Sequence, residues 1–170
     1  NGVKIDNEER LRQIVDLRKQ KPELKVLLSI GGWGSGRFSE MAANDEYRRA
    51  FAADCDRVVK EFALDGIDIY WEYPTSSMAN ISSSPDDTEN FTLLMQDIRA
   101  AIGNEKELTL ATVASARYID FKAILPSVDF VNIMAYDMAS APKHHSALYP
   151  SGHSGDITSD GAVTAHLKAG

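Results

Sequence analysis

A short β-prone stretch, LDGIDIYWEYPT, carries three carboxylates where strands seldom place charge. They are Asp65, Asp68 and Glu72. Alternate residues of a strand share a face, so Asp68, Tyr70 and Glu72 are expected to point one way and the apolar residues between them the other. Like charge and burial both raise a carboxyl pKa. A carboxyl that stays protonated near neutral pH can act as a general acid, the group that glycosidic bond cleavage requires.

The same alternation also fits a polar edge strand whose acids lie in water. The surrounding sequence favours an enclosed site, because the strand lies within a strand–helix alternation and both faces of a parallel sheet are normally covered. Asp65 has the opposite parity and stands beside Gly66 at the start of the strand. A supporting role is assigned to it.

Four apolar runs are predicted as strands: LKVLLSIGGW, GIDIYWEYP, LTLATVA and VDFVNIMAYD. A first helix is predicted from Asp6, with Glu9 completing a capping box, and a second helix from Asn44. A third is predicted from Ser84 as N-cap, with Pro85 at the first helical position. Further helices are expected over residues 119–125 and 161–169, and a serine-rich loop over residues 75–85.

Strands separated by helices predict an α/β fold with parallel βαβ units, either an open doubly wound sheet or part of a (β/α)8 TIM barrel. Polar and aromatic residues gather at the C-terminal ends of the predicted strands, which is the active-site rim of a barrel and favours that architecture. These residues are Ser29, Trp33, Glu72, Tyr73, Tyr136 and Asp137. The glycine run GGWGSG lacks the spacing of a dinucleotide or phosphate loop, so no nucleotide cofactor is expected.

Composition narrows the classes of partner. The chain has 170 residues, enough for one domain, and its net charge of -7 argues against nucleic acid or an anionic membrane as a partner. No apolar run approaches the ~20 residues needed to span a bilayer.

No metal site is expected either. Cys55 is the single cysteine, and the adjacent His144 and His145 diverge. His153 and His166 have no partner at ligand spacing in the sequence.

Three motifs together resemble one known family. They are SIGGW at residues 29–33, DGIDIYWEYP at residues 65–74 and MAYD at residues 134–137. Their order and spacing, and linking segments such as FSEMAA and HHSALY, are similar to the family-18 glycoside hydrolases, the chitinases and their lectin-like relatives. The resemblance covers nearly the whole chain.

The resemblance implies a (β/α)8 barrel that cleaves β-1,4-linked N-acetylglucosamine polymers with retention, through attack of the substrate's own acetamido oxygen. Such an enzyme needs no cofactor, binds chitin or its oligosaccharides and acts outside the cell. Residues 1–170 are then expected to be a partial catalytic barrel domain.

The resemblance also assigns roles to residues of this chain. Glu72 matches the acid that protonates the glycosidic oxygen and later activates water. Asp68 matches the inner aspartate beside it, and Tyr136 the tyrosine that hydrogen-bonds the acetamido group. Trp33 matches a sugar-stacking aromatic residue. Further substrate-lining or supporting residues are Ser29, Asp65, Tyr70, Tyr73, Met134 and Asp137.

Tyr70 departs from the family pattern, which has an aspartate there to orient the acetamido group. A tyrosine supplies a hydroxyl but no negative charge near neutral pH, and its ring would enter the space of the sugar. Losing one preorganised electrostatic group typically costs ~10²–10³ in rate. Weak or absent hydrolysis is therefore expected, and the alternative is a non-catalytic chitin-binding protein. The retained Glu72 argues for catalysis.

Length is the second departure. A full barrel needs about 250 residues. The four predicted strands resemble the third to sixth strands of the family barrel, so a segment of a larger protein is the favoured interpretation. The alternatives are an incomplete chain without activity and a half barrel that self-associates through its open edges.

Overall fold

The computed structural model describes residues 2–170 and alternates strands with helices. The elements in chain order are α1 (Glu8–Asp16), β1 (Leu27–Gly31), α2 (Phe38–Ala42), α3 (Asp45–Glu61), β2 (Gly66–Tyr70), α4 (Asp87–Ile102), β3 (Glu107–Val113), α5 (Phe121–Ile124), β4 (Phe130–Met134) and α6 (Ser159–Ala169). Short 3₁₀ turns follow α1 and α5, at Leu17–Lys19 and Leu125–Ser127.

The four strands form one parallel sheet in the order β1-β2-β3-β4, which confirms the α/β fold and the βαβ units. The order has no reversal point of the kind found in a doubly wound sheet. Within residues 2–170 the sheet does not close on itself. Because β2 has a neighbour on each side, its carboxylates do not lie on an edge strand, and that alternative is excluded.

The apolar side of β2 packs beneath the helices, as the strand alternation predicts. Ile67 and Ile69 are fully buried and Trp71 is 2% exposed. The Trp71 ring stacks on Phe38 of α2 at 5.4 Å and meets Phe91 of α4 edge-on at 5.8 Å. This packing leaves the opposite face of β2 for Asp68 and Tyr70.

The N-caps predicted for the first and third helices are wrong by one and two residues. In α1 the N-cap is Asn7, whose side chain accepts from the Arg10 amide at 2.9 Å, rather than Asp6. The third predicted helix, α4, begins at Asp87 with Asp86 as its N-cap, so Ser84 and Pro85 precede it. The carboxylate of Asp87 accepts a hydrogen bond from the Ser84 amide at 2.8 Å, which ties Ser84 to the first turn of α4 although it precedes the helix.

Asn44 caps α3 as predicted, accepting from the Tyr47 amide at 3.0 Å. The five-residue α2 carries too short a pattern to be recognised in the sequence, and it supplies Phe38 to the core. Over residues 2–170, no helix combines the length and the apolar character that crossing a membrane requires.

Candidate active site

Asp68 lies at the centre of a hydrogen-bonded layer on the inner face of the sheet. Its carboxylate accepts from Ser29 Oγ of β1 at 2.6 Å, from Thr109 Oγ1 of β3 at 2.6 Å and from Asn132 Nδ2 of β4 at 3.0 Å. One donor thus comes from each of the other three strands. Three donors fix the orientation of the carboxylate relative to the strand ends.

Ser29 was predicted from its motif, whereas Thr109 and Asn132 were missed. Thr109 stands beside Asp68 in the β2–β3 register, and Asn132 lies one strand further along. Alternation along each strand predicts which residues share the face of Asp68. Placing Thr109 and Asn132 beside Asp68 also requires the strand order and the register, which the sequence alone does not provide.

Glu72 follows β2 on the same side and is buried, with 6% of its surface exposed. Two phenols surround it. Burial, the contact with Tyr136 and the charge of Glu72 together raise the pKa of Tyr70. Burial and the interaction with Glu72 likewise raise the pKa of Tyr73. Both hydroxyls therefore remain protonated at neutral pH and can donate hydrogen bonds.

The side chains of Tyr70 and Tyr136 meet across the inner face of the sheet. Their hydroxyl oxygens are 3.5 Å apart, although β3 separates β2 from β4. Tyr136 is 49% exposed, so its hydroxyl is also reachable from outside. The contact occupies space directly beside Glu72, on the face where the alternation placed the acids.

Gly31, the last residue of β1, and Gly32, which follows it, allow the chain to pass close to Tyr70. Gly31 has φ +124, and a Cβ there would lie 2.1 Å from the Tyr70 carbonyl oxygen. The amide of Gly32 donates to that same oxygen at 2.7 Å. The turn leads to Trp33, which is 61% exposed and so lies outside the core. This exposure leaves its indole accessible for stacking.

The remaining predicted residues occupy different surroundings. Met134 is buried at the end of β4. Asp137 is exposed, with its carboxylate 3.4 Å from Nδ1 of His145. Tyr73 stacks on Tyr118 with ring centroids 5.2 Å apart, and Tyr118 was not singled out by the sequence.

Asp65 lies away from this group. It precedes β2 at the amino end of the strand, where it pairs with Arg18 and accepts from the Val26 amide at 2.6 Å. Asp65 therefore joins the start of β2 to the start of β1 and to the segment after α1. It lies at the strand entry, where the sequence predicted it, and a supporting role in the site stays a prediction.

No group of three or more histidine, cysteine or acidic side chains suited to a metal ion occurs within the described part of the chain. The rings of His144 and His153 do approach to 5.9 Å, a proximity that their sequence spacing did not indicate.

Comparison with known proteins assigns this chain to a family. The model of the glycosyl hydrolases family 18 matches residues 1–170. Chitinase A1 of Niallia circulans is 35% identical over 167 residues, which cover 91% of this chain and 23% of that protein.

Two solved structures share the fold. The chitinase domain of the spore coat protein CotE from Clostridium difficile has a TM-score of 0.95 at 38% identity, over 99% of this chain and 52% of that one. A glycoside hydrolase family 18 N-acetylglucosaminidase from Paenibacillus barengoltzii has a TM-score of 0.91 at 36% identity, over 99% and 54%. This chain thus spans about half of each matched structure, and its four strands correspond to part of a TIM barrel. It belongs to family 18 of the glycosyl hydrolases.

Proposed function

We propose that the protein hydrolyses β-1,4-linked N-acetylglucosamine polymers such as chitin, with Glu72 as the acid and base. The observation that carries the proposal is the burial of Glu72, a residue 6% exposed that lies two residues beyond the C-terminal end of β2, the strand that carries Asp68. Family membership supports it, because the matched structures are named as a chitinase domain and an N-acetylglucosaminidase.

In the proposed reaction, the Glu72 carboxyl gives its proton to the glycosidic oxygen as the bond from that oxygen to the anomeric carbon breaks. The acetamido oxygen of the same sugar forms a bond to that carbon and gives an oxazolinium ion. Glu72, now a carboxylate, takes a proton from water as the water oxygen bonds to the anomeric carbon, and the bond from the acetamido oxygen to that carbon breaks, which restores the acetamido group. Two displacements retain the configuration, and the substrate supplies the nucleophile, so no cofactor takes part.

The other residues assist in this proposal. Tyr136 donates a hydrogen bond to the acetamido group. Asp68, whose orientation is fixed by its three hydrogen bonds, supports Glu72. Trp33 stacks on a sugar, while Tyr73, Met134 and Asp137 line the site. Tyr70 slows the reaction, because a neutral phenol stands where a carboxylate would orient the acetamido group and stabilise the positive intermediate.

We also propose that residues 1–170 are part of a catalytic barrel domain that acts outside the cell. Support comes from the parallel sheet in chain order and from the coverage of about half of each matched structure. The extracellular location rests on the family alone. Self-association through the open edges of β1 and β4 stays a prediction, which the molar mass in solution would test.

One observation favours a second function, the binding of chitin oligosaccharides without cleavage. The hydroxyls of Tyr70 and Tyr136 lie 3.5 Å apart, so each already has a partner in the space proposed for the acetamido group. A protein with that site filled could still bind sugars through exposed aromatic residues such as Trp33.

The test is hydrolysis of a fluorogenic chitobioside by the wild type, by Glu72→Gln and by Glu105→Gln. Removing a general acid typically costs about 10²–10⁴ in rate, so kcat should fall by that factor in Glu72→Gln. Glu105 is exposed in a turn, and its variant controls for the loss of one negative charge. Activity that survives Glu72→Gln contradicts the acid/base role. If the wild type is inactive, calorimetry with chitin oligomers separates a binding protein from one with neither function.

A further inference from the structure

We infer that Asp87 and Ser39 are positioning residues for Glu72: together they anchor the segment from Trp71 to Thr75 onto helices α2 and α4. The inference rests on the proposed function in one respect, since it takes Glu72 to be the group whose position matters. Asp87 lies fifteen residues beyond Glu72 in the sequence, outside the three motifs that resemble the family.

The carboxylate of Asp87 is fully buried and accepts three hydrogen bonds. Ser39 Oγ donates to Oδ1 at 2.7 Å. The amides of Thr75 and Ser84 both donate to Oδ2, at 3.1 and 2.8 Å. One oxygen therefore holds the two ends of the loop that follows Glu72.

The other side of Glu72 is held by the same two helices. Trp71 stacks on Phe38, which is the neighbour of Ser39 in α2. It also meets Phe91, which lies one helical turn beyond Asp87 in α4. Trp71, which precedes Glu72, is thus held by aromatic packing, and Thr75, three residues after Glu72, is held by the Asp87 carboxylate. We therefore expect a shift of Thr75 to displace the backbone of Glu72.

Two features indicate that Asp87 has a specific task. Burying a carboxylate is unfavourable, and apolar replacements of buried ionic groups are often as stable, so core stability alone does not account for an aspartate here. Thr75 also has φ +61, a conformation that a residue with a branched side chain seldom adopts. The hydrogen bond from its amide to Asp87 helps to hold the backbone in that conformation.

The geometry predicts how substitutions should differ. In Asp87→Asn, the carbonyl oxygen of the new side chain can still accept from the two amides, and its N–H can donate to Ser39 Oγ, which also accepts hydrogen bonds. Asp87→Ala removes all three contacts. Ser39→Ala removes one contact and leaves both loop amides bound. Asp86→Ala is the matched control, because Asp86 is exposed at the same helix end and its side chain makes no capping bond.

The experiment measures amide hydrogen exchange at Thr75 and Ser84, together with kcat and KM for the chitobioside. In Asp87→Ala we expect these amides to exchange about tenfold faster, as loss of a hydrogen bond of ordinary strength implies. We expect kcat to fall about 10- to 100-fold with KM unchanged, because a small misplacement of a catalytic group acts on the chemical step. Ser39→Ala should also raise the exchange rates and lower kcat, but by smaller factors than Asp87→Ala. Asp87→Asn and Asp86→Ala should stay near the wild type in both measurements.

The inference is overturned if Asp87→Ala, or Ser39→Ala should the former not fold, leaves exchange at Thr75 unchanged. It is also overturned if either variant lowers kcat no more than Asp86→Ala, or if the loss appears in KM alone. An inactive wild type would refute the proposed hydrolysis. In that case the exchange of Thr75 still decides whether Asp87 anchors the segment that carries Glu72.

Discussion

Replacing Tyr70 by aspartate tests the central feature of the site, because one residue controls both the charge and the free space beside Glu72. The change removes a phenol whose hydroxyl lies 3.5 Å from that of Tyr136, and leaves the Tyr136 hydroxyl free for a substrate. It also introduces a carboxylate between Asp68 and Glu72. Activity and stability should therefore move in opposite directions.

The loss of stability can be worked out from the spacing. Residues two apart on a strand are about 7 Å apart, so each charged neighbour repels the new carboxylate by about 2 kcal/mol at an effective dielectric of about 20. Losing the half-buried ring adds about 1–2 kcal/mol. With one or both of these neighbours charged, we expect the free energy of unfolding to fall by about 3–6 kcal/mol at neutral pH, a large share of the usual stability of a domain.

The gain in rate should be about 10²–10³ in kcat, which corresponds to about 2.7–4 kcal/mol of transition-state stabilisation. The assay is chitobioside hydrolysis at saturating substrate, paired with urea unfolding of each variant. Tyr70→Asn is the matched control, since asparagine has the size of aspartate without its charge. It should gain less than a tenth as much in kcat and lose about 2–4 kcal/mol less stability.

Two results would refute this reasoning. If Tyr70→Asn and Tyr70→Asp gain equally, the missing feature is space and not negative charge. If neither gains while both remain folded, Tyr70 does not limit the reaction. Adding Glu72→Gln to Tyr70→Asp should remove the gain, because the new carboxylate assists the acid and does not replace it.

Two further predictions concern the scaffold of the site. Gly31→Ala should lower the free energy of unfolding by at least about 3 kcal/mol, because it combines φ +124 with a Cβ 2.1 Å from the Tyr70 carbonyl oxygen. Gly34→Ala, with φ +79 and its nearest neighbour at 3.9 Å, should cost only about 1 kcal/mol, and equal losses would contradict the close-approach argument. Burial raises the pKa of the Cys55 thiol from 9.0 to about 12. The thiol therefore ionises first in the unfolded chain, and stability present below pH 9 should be lost between pH 9 and 12, by about 1.4 kcal/mol per pH unit relative to Cys55→Ala. Parallel pH profiles for the two proteins would contradict this assignment.

Much of the fold could be predicted because its signals are local. The strands are short apolar runs, and Asn44 marks the start of α3 by its own side chain. The start of α4 was predicted two residues too early, because Ser84 and Pro85 carry the usual signals of a helix start. The contact of the buried Asp87 carboxylate with Ser39, a residue 48 positions away, is non-local and was not predicted.

By itself, the sequence determined the family, the face of β2 on which Asp68 and Tyr70 lie, and the departure of Tyr70 from the family pattern, because strand alternation and motif spacing are properties of neighbouring residues. The tertiary structure alone decided what those side chains touch. Strand order and register set the contacts of Asp68 with Thr109 and Asn132, and that of Tyr70 with Tyr136. The packing of α2 and α4 set the anchors on either side of Glu72. Such contacts join residues distant in the chain, and no pattern of neighbouring residues encodes them.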